Sequence, residues 1–522
     1  MKVFHSPFLH LSIIVACAVF FNLLPYLVSG VPLQQQVLSD VEAHISVWQI
    51  SLDPSVFPGD KILRAGLQAL PTGQIIANQG LAWLARSLHI DLFTFSVVLS
   101  FCSLALFLCG LYFLLLTTLK EKVPAFLITF FSIIPVHALG SVTFGFQALG
   151  FLPRDLAATL AVFILILYFH AIERDSWKER YLVFLISGIC ANFYPLLFFH
   201  LALTLTLAEW IRARRIDLTC IGNGVLFLIG AVPTILDIAL KSTQAAPIDV
   251  EIMRLFYKYM MVSADWNSLS RYLRRFLIYA LLIPPVYLIF IRNAPETVRR
   301  RLLPWTALAM SAFCLSVAGV FLESTTAYGK IMLSRTSVWF ILASMVIIAY
   351  GFYGFFQTYR PKTAVMLTVV AVTVIFLGQS NLPTVYRFLD DSHHTRDQKM
   401  AFHAAVSELM KLTEKDDVIL APTDEFYDLA ASVRTYSLRS IYVCYKYGGI
   451  SIMDGDIGRE WWKRYQNTVR IFKDRDPKAL VDFMRAEKIR YAFVPADYYK
   501  RNDPHLRERI AYESGQFVII RL

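Results

Sequence analysis

The sequence predicts a polytopic α-helical membrane protein of about eleven transmembrane helices, followed by a soluble α/β domain at the C-terminus. Three observations predict it. The chain of 522 residues is 56% hydrophobic and only 17% charged, with a mean hydropathy of +0.52, whereas soluble domains carry about 25% charged residues. Its cations stand in short clusters between long apolar runs, the pattern of topology determinants. From Asn381 the composition turns abruptly to that of a soluble segment.

A crossing needs roughly 17–25 mostly apolar residues. The first candidate is Phe8–Ser29, preceded by Lys2. Val28-Ser29-Gly30 is a tolerable signal-peptide cleavage site, but the apolar run is long for a signal, which favours an uncleaved helix. A polar stretch from Val31 to about Ile90 then holds two amphipathic pieces, Val37–Ile50 and Gln74–His89. Asp53-Pro54 and Pro58-Gly59-Asp60 break the helix between them. Further spans are expected near 91–118, 123–140 and 155–172. Tyr181–Trp210 reads as a hairpin of two short spans broken at Asn192-Phe193-Tyr194-Pro195. The rest fall near 218–239, 275–291, 303–322, 336–356 and 363–380.

Charge decides between two crossings and one at the hairpin. With the N-terminus inside, the inside loops hold Lys120, Lys122, Arg174, Lys178, Arg180, Arg212, Arg214, Arg215, Arg292, Arg299, Arg300, Arg301, Arg360 and Lys362. Counting the hairpin as one crossing places the Arg299–Arg301 cluster outside, against the positive-inside rule. An odd number of spans then puts the C-terminal part on the non-cytoplasmic side. Two domains are expected: 1–380 in the membrane, with 31–90 as its first outer loop, and 381–522 outside. In the second, Val418–Ala421, Ile441–Cys444, Tyr491–Val494 and Phe517–Arg521 read as strands, and Gln398–Leu412 and Lys478–Glu487 as amphipathic helices.

Composition also excludes. The net charge of +11 is dispersed among topology clusters, so nucleic acid is not expected as a partner. Of seven cysteines only Cys444 lies in the soluble part, which rules out an intrachain disulfide framework there. No Cys/His spacing suggests a metal site. There is no inverted-repeat symmetry of the transporter kind.

The first outer loop is the most informative stretch. Ser39-Asp40-Val41-Glu42-Ala43-His44 places two carboxylates and an imidazole close beyond the first span. In a helix Asp40 and His44 share a face, and such a cluster suits a general base or ligand set; otherwise it is the solvated face of an interfacial helix. Arg154 begins a span at the outer surface, and Lys330 and Arg335 flank the start of another. Cations at that depth would hold a lipid-linked phosphate, or snorkel to headgroups. Tyr257-Lys258-Tyr259 and Ala264-Asp265-Trp266-Asn267 read as an interfacial aromatic belt. Ser432–Ser440 supplies Arg434 and Arg439, and Asp454, Asp456, Trp461 and Trp462 follow. These form either a carbohydrate-facing surface or, the favoured reading, a folded domain whose tryptophans pack inward.

This layout resembles the GT-C superfamily of membrane glycosyltransferases, which take sugars from polyprenyl-phosphate donors. The shared features are an acidic first outer loop, short broken helices in mid-bundle, an odd span count and an external C-terminal domain. Asp53-Pro54-Ser55-Val56-Phe57-Pro58-Gly59-Asp60 and Phe151-Leu152-Pro153-Arg154-Asp155 are similar to stretches in uncharacterised bacterial members of that layout. The resemblance implies an enzyme, a hexosyl- or pentosyltransferase on the periplasmic face of the bacterial cytoplasmic membrane. It would move a sugar from polyprenyl phosphate to a glycan, lipid or protein acceptor. It makes Asp40 the catalytic base, with Glu42 as the alternative, and His44, Asp60, Arg154, Lys330 and Arg335 substrate-binding residues. Here Val41 separates the two acids, where the superfamily pattern has an adjacent pair. No cofactor is implied with certainty; a divalent metal (Mg or Mn) is compatible but has no clear ligand cluster. Two other classes stand beside this one: a non-catalytic scaffold or subunit of a polysaccharide-synthesis or export complex, and a lipid-linked-sugar transporter. For the last, Asp237 is the one clear intramembrane acid.

Overall fold

In a computed structural model of the chain the described residues are 6–29, 31–32, 39–134, 136–139, 142–144, 150–214, 218–247, 249–252, 266–325, 332–379, 382–423, 429–451, 454–498 and 504–522. Side chains are described throughout these except at 21–22, 25–29, 39–40, 137, 142–144, 266–275, 323–325, 378–379, 382–395, 450–451 and 504–505. Of the described residues 78% are helical. Among the described residues six helices are long and apolar enough to cross a membrane, within Leu92–Leu119, Pro153–Glu173, Pro195–Ala213, Leu218–Gln244, Glu296–Leu322 and Leu333–Tyr359.

The helices in chain order are α1 (Pro7–Ser29), α2 (Ser39–Leu52), α3 (Lys61–Ala69), α4 (Thr72–Ser87), α5 (Leu92–Leu119), α6 (Lys122–Phe131), α7 (Pro153–Glu173), α8 (Trp177–Ala191), α9 (Pro195–Ala213), α10 (Leu218–Gln244), α11 (Trp266–Val286), α12 (Glu296–Thr325), α13 (Ser337–Tyr359), α14 (Ala364–Gln379) and α15 (Leu382–Leu412). Their boundaries have local causes. Asp91 caps α5 by accepting hydrogen bonds from the Phe93 and Thr94 amides. Ser176 caps α8, and prolines open α7 and α9 where a missing N–H costs nothing. The segment expected to cross at 123–140 behaves differently. Its helix stops at Phe131, and a short antiparallel pair, β1 (Val136–Ala138) with β2 (Val142–Phe144), follows. Ten helical residues reach only about 15 Å.

The hairpin at Tyr181–Trp210 is two helices, α8 and α9, joined at Asn192–Tyr194. Asn192 also mends a neighbour. Pro233 lies within α10, and beside it Asn192 Oδ1 accepts from the Thr234 amide at 3.0 Å while its Nδ2 donates to the Gly230 carbonyl at 2.9 Å. One side chain thus serves backbone groups beside the proline and pins the hairpin tip to α10. Gly188 and Gly230 let α8 and α10 touch backbone to backbone: a Cβ on Gly188 would lie 2.1 Å from the Phe227 carbonyl oxygen.

Contacts sort the loops to two ends. At one, Lys120 pairs with Glu173, and Arg301 donates to the Leu119 carbonyl and the Tyr350 hydroxyl. Arg180 and Arg212 there flank the buried Glu209, each at 3.1 Å. At the other, Thr72 donates through its amide and hydroxyl to Asp237 at 2.7 and 2.8 Å, and Gly73 lies against Asn192. The cation-rich loops therefore share one end, and the first long loop sits at the opposite one.

Beyond α15 the chain builds a five-stranded sheet, β3 (Val418–Leu420), β4 (Ser440–Ile441), β5 (Tyr491–Pro495), β6 (Ile510–Glu513) and β7 (Phe517–Arg521), in the order β4-β3-β5-β7-β6. β3 runs parallel to β4 and β5, and β7 antiparallel to β5 and β6. Tyr491–Val494 and Phe517–Ile520 are buried without alternation, as strands covered on both faces are. The covering helices include α16 (Leu429–Ser437), α17 (Gly455–Asp474) and α18 (Pro477–Ala486). Four of the expected strands are present; β6, α16 and α17 are additions. The first long loop belongs to the same core: Val56, Phe57, Ile62 and Leu63 are buried in one cluster with Ile419, Trp461 and Phe493.

Candidate functional site

The site is built where α2 meets α16. Short hydroxyl side chains on both helices let their backbones approach. The Ser46 and Thr435 hydroxyls are 2.8 Å apart, and Thr435 also donates to the Glu42 carbonyl at 3.0 Å. Gln49 donates to the Thr435 carbonyl at 2.9 Å, and the Tyr447 hydroxyl to the Ala43 carbonyl at 2.7 Å. In the middle of this seam the Glu42 side chain, 3% exposed, accepts a 2.7 Å hydrogen bond from the Ser432 hydroxyl. Lys399 of α15 stands in its field: burial pulls the ammonium below the ordinary lysine range, and the Glu42 carboxylate opposes that fall.

One turn along, Arg434 is fully buried. Its Nη1 meets Asp60 at 3.2 Å and its Nε the Ser46 hydroxyl at 3.3 Å, while its guanidinium carbon lies 4.2 Å from the centre of the Tyr447 ring. Burial works against its charge, but Tyr447, Cys444 and the Asp60 carboxylate around it outweigh that and hold it far on the protonated side. Asp60 spends its other oxygen on the Leu63 amide, capping α3 at 3.0 Å. Gly59 is required by closeness, since a Cβ there would sit 2.8 Å from Val418 Cγ2, and its amide donates to Ser440 Oγ at 2.9 Å. The Pro58-Gly59-Asp60 turn is thus a clasp holding the first loop to the C-terminal sheet. Sequence reasoning assigned Asp60 to substrate; its two carboxylate oxygens are both engaged within the protein.

The remaining expected residues are distributed around this seam. Asp40 lies in the first turn of α2, with its side chain outside the described residues, as is Lys330 altogether. His44 is half-buried on α2. Arg154 is half-buried at the first turn of α7, whose approach packs on α2: a Cβ on Gly150 would lie 2.7 Å from Val41 Cγ1, and Phe151 stands 6.2 Å from Trp48, ring to ring. Arg335 is half-buried in the single turn Leu333–Thr336 before α13. Thr336 fastens that turn to α12 through the Ser316 hydroxyl at 2.9 Å, and neighbouring Met332 packs on the C-terminal core. Glu42 and Asp60 therefore share one network, and Arg154 and Arg335 reach the same end through adjacent residues.

No family model matches the chain, and no curated protein does. Among the described residues no three His, Cys, Asp or Glu side chains converge as a metal site would require. Other residues make contacts within the framework. Asp237 accepts from the Thr72 amide at the start of α4 and pairs with Lys241 at 3.1 Å. Arg439 is spent on Thr413 and the Met410 carbonyl. Asp454 caps α17, and Trp461 is buried with its indole N–H on the Cys444 carbonyl. The inward-packing reading of Trp461 is the structure's own. Ser432 and Lys399 were missed as partners of Glu42, since nothing local in the sequence distinguishes them.

Proposed function

We propose that this is a multi-pass protein of the bacterial cytoplasmic membrane, crossing about eleven times with the N-terminus cytoplasmic and the C-terminal part periplasmic. We read it as a GT-C-like glycosyltransferase that moves a sugar from polyprenyl phosphate to a glycan, lipid or protein acceptor. The observation that carries this reading is the buried Glu42 carboxylate, held by Ser432 on the first-loop helix at the end of the bundle opposite the cation-rich loops. A carboxylate kept from bulk water beside a membrane surface suits proton abstraction from an acceptor hydroxyl. The acceptor oxygen attacks the anomeric carbon, its proton passes to Glu42 or Asp40, and the sugar–phosphate bond breaks with its electron pair leaving on phosphate. Arg154 and Arg335 would receive that charge. Arg154 adds its cation to the positive end of α7, a combination that favours an anion.

A scaffold reading has one observation in its favour: Asp60 and Arg434 neutralise each other in a buried structural pair. The same assay separates the two. Asp40→Asn and Glu42→Gln each preserve size and hydrogen bonding while removing a proton acceptor. Loss of the base should slow transfer from a purified polyprenyl-phosphate sugar by about 10²–10⁴-fold, whereas Arg335→Ala should chiefly weaken donor affinity. Full transfer in all three variants would remove these residues from the chemistry, and no transfer by the wild-type chain would leave the scaffold reading in possession.

A further inference from the structure

We propose that α4 lies along the membrane surface on the side of the C-terminal region and beds an apolar sector in lipid, where headgroups meet acyl chains. The helix has three kinds of surface. Asn78, Ala82 and Ala85 are buried against the protein, with Asn78 Oδ1 accepting from the Trp48 indole at 3.0 Å. Ile76, Trp83 and Leu84, with Leu88 just beyond the C-terminus, recur at helical spacing and are exposed by 61, 67, 42 and 53%. Gln79 and Arg86, also exposed, lie on the other rim. A helix buried on one face, apolar on the second and polar on the third fits a boundary between protein, lipid and water.

Lipid is the occupant because the apolar sector continues a surface that already faces it. The start of α4 is tied to α10 through Thr72 on Asp237 and the Leu70 carbonyl on Lys241. On α10, a candidate span, Leu236 and Leu240 beside those anchors are 57 and 64% exposed. Trp83 has the amphipathic ring that settles at the headgroup level, and Arg86 is placed to reach phosphates. The Trp48–Asn78 bond ties this helix to α2, so the depth of α4 sets the depth of Glu42. The proposal does not depend on the chemistry performed at Glu42.

The test uses the full chain reconstituted in phosphatidylcholine–phosphatidylglycerol vesicles. With the native cysteines replaced, a nitroxide at Ile76→Cys should collide with oxygen in preference to a water-soluble nickel chelate. Its oxygen-to-nickel ratio should be several-fold above that of a nitroxide at Gln79→Cys. Equal, water-like ratios would overturn the proposal, and so would a label at 76 shielded from both reagents, which would mean a protein partner or second copy covers the face. Should the cysteine-free chain not fold, the otherwise native chain serves: brominated lipid should quench a Trp83 component that vanishes in Trp83→Phe. Identical quenching in the two proteins would equally refute it.

Discussion

Asp60→Asn should loosen the grip of the first long loop on the C-terminal sheet, and the structure sets the size of the effect. Arg434 is fully buried, and Asp60, at 3.2 Å, is its ion-pair partner. Asparagine keeps a side-chain oxygen for the Leu63 amide, so the α3 cap survives and the change isolates the charge. Leaving a buried guanidinium uncompensated costs about 3–5 kcal/mol, roughly two to three and a half powers of ten in the ratio of clasped to released forms. Arg434→Met leaves the opposite orphan, a buried carboxylate, and also removes the cation over the Tyr447 ring. In Asp60→Asn/Arg434→Met both charges are gone, and most of the loss should be restored, since a buried pair exchanged for uncharged groups of similar volume is often neutral. Native-state proteolysis of the purified full chain reads the released population directly when reclosing outpaces cleavage. Cleavage of the Asp53–Asp60 turn should accelerate in each single variant and return towards the wild-type rate in the double. Wild-type cleavage in Asp60→Asn, or a double variant worse than the sum of the singles, would refute the reasoning.

Two further outcomes are expected. In Glu42→Gln the anion that opposes the fall of the Lys399 pKa is gone, so the pKa should drop further. More neutral amine at a given pH means that the pH profile of Lys399 acylation shifts to lower pH; an unmoved profile would separate the two residues. A reporter fused after Leu522 should be active in the periplasm and one after Arg301 in the cytoplasm, and activity of both on one side would break the eleven-span topology.

Long apolar runs were legible because a crossing needs little beyond length and hydropathy. Hydropathy is indifferent to backbone conformation, however, so 123–140 gave no sign that its helix would stop at Phe131 and a strand pair follow. The buried strands β5 and β7 announced themselves as unbroken apolar runs. β6 did not, because Ile510–Glu513 is only half-covered and alternates rather than running unbroken. The helix at Gly455–Asp474 carried a signal that reading for sugar-binding groups passed over, an Asp454 cap ahead of a strongly amphipathic stretch. At the site, acids in the first loop were visible as a cluster, and Glu42 is the member whose partners the structure shows. That Asp60 would be consumed by Arg434, or that Ser432 and Lys399 would face Glu42, is a matter of tertiary contact between distant segments. Local pattern carries no record of it.

The first long loop and the C-terminal region close on each other to form the Glu42 site. The Ser46 and Thr435 hydroxyls, 2.8 Å apart, offer its most direct measurement. Cysteines at both positions, in a chain freed of its native seven, bring two sulfurs within reach of a disulfide of about 2.05 Å. Mild oxidation of intact membranes should join Ser46→Cys to Thr435→Cys in high yield, with either single variant uncrosslinked. Two thiols that stay free and separately alkylated, in a protein that otherwise folds, would contradict the account.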